Sequence, residues 1–188
     1  MNFKGIFNID AEVKESAHAR VNLIGEHTDY TGGYVMPTLL SFKNTIEITE
    51  NNTNEFIVYS QYFKEKKEFN DFKKSTNNEW VDYIKGCLHI FFEENKISSR
   101  YLNIYISSDI PLERGISSSS ALCVATLKAL NTFFETKIKD PEIAKLAKKV
   151  EFNYIGVSGG IMDQMVSSIG IHGKAFFMNC KNLEYELI

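Results

Sequence analysis

Hydrophobic positions follow two rhythms along this chain, and the switches between them mark its elements. Residues 44–50 alternate, with Ile46 and Ile48 on one side. Residues 55–60 do the same through Phe56 and Val58, or Ile57 and Tyr59. The Asn51-Asn52-Thr53-Asn54 stretch between them is turn chemistry, so the two segments read as a hairpin. Residues 35–40 add a strand, where Pro37 argues for an edge or a bulge. Strands are also expected at 101–107, through Leu102, Ile104 and Ile106, and at 174–180. Steps of three and four take over between 78 or 79 and about 95, where Trp80, Tyr83, Ile84, Cys87, Leu88 and Phe91 predict a helix with a core-facing stripe. A second helix is expected over 118–135 on Leu122, Ala125, Ala129 and Phe133. Asp140-Pro141 opens a third, with Asp as N-cap, Pro at the first helical position, and a face of Ile143, Ala144, Ala147 and Val150. Glu151 falls near its end; a flexible loop at 156–160 follows, and a short helix starts at 161–164.

One apolar run leads directly into polar residues. Val21 to Ile24 is apolar enough to enter a sheet as a buried strand; Gly25 breaks it, Glu26, His27 and Asp29 follow, and Thr31-Gly32-Gly33 signals a turn. Two carboxylates accept from hydroxyls, an imidazole donates or accepts, and Arg20 supplies a fixed fork of donors. Such a set suits a polyol, because a site built to bond hydroxyls leaves its own groups unpaired when they are missing. An ordinary polar turn with a helix N-cap at Asp29 or Thr31 fits the same residues.

Composition narrows the class. With 188 residues, 44% hydrophobic and 24% charged, the chain has the make-up of one soluble globular domain or one and a half. A net charge of −3 gives no reason to expect nucleic acid or an anionic membrane. The Lys- and Asn-rich residues 64–78 mix signs and read as a solvated loop. No apolar run has the length of a membrane span, and residues 1–10 lack the pattern of a signal peptide, so a cytoplasmic location is expected. Cys87, Cys123 and Cys180 follow no metal spacing and read as small core residues; His89, inside the helical stripe, reads as structural.

A second polar concentration stands where the 101–107 strand gives way to the 118–135 helix. Gly115-Ile116-Ser117-Ser118-Ser119-Ser120 brings hydroxyls to a helix start, whose free N–H groups and dipole attract anions. No Lys-Ser/Thr pair follows a glycine, so this is not a Walker A loop. A serine-rich cap and a phosphate site both fit it.

Three stretches, in order, resemble the galactokinases of the GHMP kinase family. ARVNLIGEHTDYTGG, ending at Gly33, is similar to their sugar-binding signature. Residues 111–122 are similar to the phosphate loop, P-x-G-x-G-L-S-S-S-A, with Gly115, Ser117, Ser118 and Ser119 matching it. EFNYIGVSGGIMDQMVSSIG, residues 151–170, is similar to the segment ending in G-I-M-D-Q. Two departures stand: Glu113 where the loop has its first glycine, and His18-Ala19 where Pro-Gly precedes the signature arginine.

The resemblance implies an α+β fold of the GHMP-kinase N-terminal type, a mixed sheet with helices packed on one side. That domain would fill residues 1–188, with the signature at 17–33, and the family's C-terminal domain would lie outside the sequence. It implies ATP-dependent phosphorylation of galactose at the anomeric hydroxyl. Asp163 and Arg20 would be catalytic. Arg20, Glu26, His27, Asp29, Gly159, Gly160 and Asp163 would bind sugar; Gly115, Ile116, Ser117, Ser118, Ser119 and Ser120 would bind ATP; Ser119 and Glu151 would hold Mg²⁺. A kinase for N-acetylgalactosamine or arabinose, and a non-catalytic sugar-binding or sensor protein, are the alternatives. Apolar surface normally covered by the missing half would be open, giving a homodimer.

Overall fold

The computed structural model describes residues 2–76, 79–111 and 115–188. The chain runs through α1 (Phe3–Phe7), β1 (Val13–Asn22), β2 (Tyr34–Val35), β3 (Pro37–Glu50), β4 (Phe56–Ser60), β5 (Glu65–Phe69), α2 (Val81–Asn95) and β6 (Leu102–Ser108). It continues with α3 (Ser118–Phe133), α4 (Asp140–Lys149), a π-helical turn (Val150–Ile155), α5 (Met162–Ile169), β7 (Phe176–Asn179) and β8 (Tyr185–Leu187).

Five strands form a mixed sheet in the order β1-β3-β6-β4-β5. All neighbours are antiparallel except β4 and β6, which run parallel. The register pairs Ile46 with Ile106 and Ile48 with Ile104, and Ile104 also with Val58. One continuous apolar face results, because the strand period puts alternate residues on the same side. Helices α2 and α3 bury their stripes against it through Ile84, Leu88, Phe91, Val124, Leu127 and Leu130. A separate three-stranded sheet, β2-β7-β8, shares a second core with α5 through Val35, Met165, Val166, Phe176 and Met178.

The predicted helices stand with small changes. α2 begins at Val81; of its two expected starts, residue 78 lies outside the described residues. α4 includes Asp140, so Lys139 is the N-cap and the proline comes second. His89 is half-buried between the rings of Phe72 and Tyr154, in the structural position expected of it. Cys87 and Cys123 are buried free thiols, and Cys180 is half-buried.

The strand reading needs four corrections. Residues 44–50 and 55–60 do not form a hairpin. β3 pairs with β1 and β6, and β4 pairs with β6 and β5. The solvated loop expected at 64–78 contains β5, whose charged residues lie toward water on a sheet edge while Phe69 turns inward. Residues 35–40 divide between two sheets, with Pro37 at the first position of β3, where a strand tolerates proline. Of the buried strand expected at 21–24, only Val21 and Asn22 are strand, at the end of the longer β1. Ala17 and Ala19 are its buried residues, whereas Leu23 and Ile24 are 54% and 63% exposed. The register of β1 slips between His18 and Arg20, at the place where the family pattern has Pro-Gly.

Gly86, in α2, sets the approach of the π turn. A Cβ there would lie 2.8 Å from the Tyr154 ring and 2.9 Å from a Val150 methyl. Helix propensity alone favours Gly86→Ala by up to about 1 kcal/mol, but overpacking costs about 1–3 kcal/mol. The variant is expected to unfold at lower urea concentration than the parent; a raised midpoint would show that the contact yields freely.

Candidate active site

Arg20 ends the straight part of β1 and reaches across the molecule to the first turn of α5. Its Nε donates to Asp163 Oδ1 at 2.7 Å and its Nη2 to Oδ2 at 2.8 Å, a two-point fork. Its Nη1 donates to the Gly115 carbonyl at 2.9 Å. Ser117 completes the Asp163 set by donating its hydroxyl to Oδ2. β1, the serine loop and α5 therefore meet at one carboxylate.

Two features bring the loop there. Ala19 packs with Ile110 and Ala121 in a small core of its own, and these short side chains let β1 approach the start of α3. Asn44 donates to the Ser118 carbonyl at 2.9 Å, anchoring the helix entry to β3. Gly115 and Ser117 take φ of 66° and 60°. Left-handed backbone is uncommon for serine, and local strain of this kind gathers at functional sites. Arg20, Pro111, Gly115, Ile116, Ser117, Ser118, Ser119 and Asp163 line an open cavity of about 360 Å³. Glu113 lies outside the described residues.

The serines are not helix caps. Ser117 makes no side-chain capping bond. Ser119 and Ser120 instead donate to the two Glu151 oxygens, each at 2.8 Å. Gln164 donates to the same carboxylate through Nε2. Glu151 lies in the π turn, 4% exposed. Among the described residues it has no Lys, Arg or His within ion-pair distance, and its bonds come from neutral groups. No cluster of three or more His, Cys, Asp or Glu stands among the described residues to bind a metal by itself. The set suits a hard divalent cation of the magnesium kind, which takes one or two carboxylates and completes its shell with other oxygens. Gln164 Oε1 is buried without a partner among the described residues.

The signature turn arrives from the other side. Gly25 has φ of 98°, and a Cβ on it would strike the Tyr34 carbonyl and Val35 Cα, so only glycine fits. Thr28 Oγ1 donates to the carbonyls of Gly25 and Tyr34, both at 2.7 Å. No helix opens at Asp29 or Thr31. Asp29 is half-buried, and its carboxylate occupies the place a Cβ on Gly160 would take. Burial, then the Asp29 charge, push the Cys180 thiol up to about 11, so this cysteine is an inert neighbour. Glu26 and His27 are exposed on the same turn, and neither bonds to Arg20 or Asp163. Val157, Ser158, Gly159 and Gly160 line a second cavity, of about 160 Å³, together with Ser119, Glu151 and Asp163.

Sequence reading missed Ser117 as a partner of Asp163, Gln164 as a partner of Glu151, and Lys148, whose Nζ donates to the Gly159 carbonyl at 2.6 Å. It also missed Tyr83 of α2, which bonds Ser119 and whose phenol burial holds above its ordinary pKa. For Glu151 one signal was present: it falls four residues after Ala147, a buried residue of α4, in the π turn that follows that helix.

Two family models match the chain: the galactokinase galactose-binding signature over residues 1–49, and the GHMP kinases N-terminal domain over residues 82–170. The chain belongs to the GHMP kinase family. Its fold is the GHMP kinase N-terminal fold, as expected from the three stretches. Galactokinase of Thermotoga petrophila is 36% identical over 176 residues, and that of Pyrococcus furiosus 37% over 179. These alignments take in 94% and 95% of this chain but 49% and 50% of those proteins, so this GHMP kinase chain spans about half the length of the curated relatives it matches. Lactococcus lactis galactokinase, solved in complex with galactose, superposes with a TM-score of 0.91 at 31% identity, covering 99% of this chain and 49% of that one. Methanococcus jannaschii mevalonate kinase, at 24% identity and a TM-score of 0.81, shares the fold. No helix among the described residues is long and apolar enough to cross a membrane.

A buried carboxylate bonded only by neutral donors costs stability that a neutral isostere would spare. Glu151→Gln is therefore expected to keep the unfolding free energy within about 1 kcal/mol of the parent, or to raise it. Destabilisation beyond about 2 kcal/mol in denaturant titration would mean that the charge itself holds this cluster together.

Proposed function

We propose that the chain forms the sugar- and phosphate-binding region of a galactokinase, which transfers the γ-phosphoryl group of ATP to the anomeric hydroxyl of galactose. One observation carries the reading: the carboxylate gripped by Arg20 stands beside the serine loop, while Gly160, three positions before it, receives Asp29. A group suited to a reacting hydroxyl, an anion-attracting helix start and a hydroxyl-bonding turn adjoin one another.

In this reading Asp163 faces the anomeric hydroxyl through Oδ1. Among the described residues that oxygen accepts one donor, Arg20 Nε, whereas Oδ2 accepts two. Asp163 orients the hydroxyl and takes its proton late, because a loose phosphoryl-transfer transition state needs little base strength early. Arg20 holds Asp163 in place and lines the loop cavity where phosphate charge would lie. The N–H groups of Gly115 to Ser120 bind nucleotide phosphates at the positive end of α3. Ser119 and Glu151 would hold Mg²⁺, which when bound would neutralise phosphate charge. Glu26, His27 and Asp29 bond the remaining sugar hydroxyls, with the backbone of Gly159 and Gly160 closing the pocket. A cytoplasmic location belongs to the same reading, as does self-association through the exposed apolar surface at Leu23 and Ile24. A strictly monomeric mass in light scattering would count against the latter.

Galactose titrated into the chain by calorimetry tests the sugar part. Saturable binding is expected. Gly160→Ala should weaken it at least about tenfold by driving Asp29 away. N-acetylgalactosamine or arabinose binding more tightly would reassign the sugar.

Galactose-dependent ADP release from Mg-ATP tests the transfer. Asp163→Asn is expected to lower turnover by about 10²–10⁴-fold, the usual worth of such a group. Survival within about tenfold would remove the proton-acceptor role. Galactose binding without any turnover would favour the sugar-binding or sensor reading for this region.

A further inference from the structure

The segment between the π turn and α5 is exposed from Gly156 to Gly159, yet it carries the glycine on which Asp29 rests. At its start the N–H groups of Gly156 and Val157 both donate to the Glu151 carbonyl, the latter at 2.8 Å, closing the π turn. Farther on, where no regular structure holds the backbone, the Lys148 ammonium donates to the Gly159 carbonyl at 2.6 Å.

We propose that Lys148 is a positioning residue of the sugar pocket: by tying Gly159 to α4 it keeps Gly160 seated under the Asp29 carboxylate. The proposal rests on the galactose reading for its functional consequence and on the geometry alone for the tether. Three observations support it. Lys148 is half-buried and lines the cavity of about 160 Å³ with Gly159, Gly160 and Asp163. Its ammonium has no carboxylate partner among the described residues, and the hydrogen bond it makes there is the one to the loop. Its charge lies 5.6 Å from the centre of the Phe152 ring, a cation–π contact that restricts the stem. Gly159 and Gly160 have no side chains with which to fix themselves, and a glycine pair gains order only from what holds its backbone. The carbonyl of Gly159 is the handle, and the residue that grips it sits one helical turn before Glu151, so the sugar side and the Glu151 cluster share an anchor.

Lys148→Met keeps the apolar stem and removes the donor; Lys148→Arg keeps a donor able to reach the carbonyl. Amide hydrogen exchange over residues 157–160 reads the tether without any ligand. It should run at least about threefold faster in Lys148→Met and near the parent rate in Lys148→Arg. Calorimetry with galactose alone should show affinity about tenfold weaker in Lys148→Met and largely restored in Lys148→Arg, with MgATP affinity within about twofold throughout. Unchanged exchange in Lys148→Met overturns the tether. Faster exchange with unchanged galactose affinity overturns the link to the pocket. A loss of MgATP affinity instead of galactose affinity makes Lys148 a phosphate contact and overturns the proposal. If the parent chain binds no galactose, the sugar reading falls by itself, and the exchange rates alone decide the tether.

Discussion

The fork between Arg20 and Asp163 joins residues 143 positions apart, and the arrangement of the site depends on it. Arginine presents its donors in a rigid plane, so a two-point bond to a carboxylate fixes direction as well as distance. Here it fixes the end of β1 against the start of α5, and the third donor fixes the serine loop to both. The side chains are only 14% and 25% exposed, so removing either partner would strand a charge in a poorly solvated place. The fork in turn depends on what brings β1 to α3. Ala19, fully buried, and Ala121 are small enough for the backbones to come close, and the register slip before Arg20 re-aims the side chain. The chemistry is placed by short residues that take no part in it.

How much of this could be read from the sequence varies by element. Arg20, Asp29, Ser119, Glu151, Gly160 and Asp163 were all legible because three motifs fix their types and order, and the fold brings them into neighbouring positions. The helices were legible because α2, α3 and α4 each bury one stripe, which is the pattern periodicity detects. The strands were harder. Val21 to Ile24 is the most apolar stretch of its region, yet β1 buries alanines and ends at Asn22, and Leu23 and Ile24 lie exposed beyond it. β5 hid because its sequence, Glu-Lys-Lys-Glu-Phe, carries an edge strand's charges and a single inward ring. The pairing of β4 with β6 was invisible because it joins segments separated by α2, and local turn signals at 51–54 pointed to the wrong neighbour.

The partners of the motif residues were also beyond reach. Ser117, Gln164 and Lys148 acquire meaning from contacts made across elements: a left-handed backbone turns Ser117 toward α5, and the π turn brings Glu151 toward Gln164. A π turn adds a residue to one turn of helix, which shifts the side chains that follow it relative to an α-helix. Sequence periodicity cannot anticipate where that extra residue falls.

The two carboxylates at the centre are kept in opposite electrostatic conditions, and this bears on their division of labour. Asp163 is matched within the chain by a guanidinium in two-point contact. Glu151, more deeply buried, is matched among the described residues by two hydroxyls and an amide. When neighbouring acids are held in environments that differ this much, their roles differ too. A carboxylate whose charge is already balanced loses little by meeting a neutral hydroxyl, and its free lone pair can direct one. A carboxylate left unbalanced in a poorly solvated place gains most from a cation that comes with the ligand. Replacing Glu151 by a neutral residue would relieve a cost in the folded chain, so keeping the charge there is reasonable only if something outside the chain repays it.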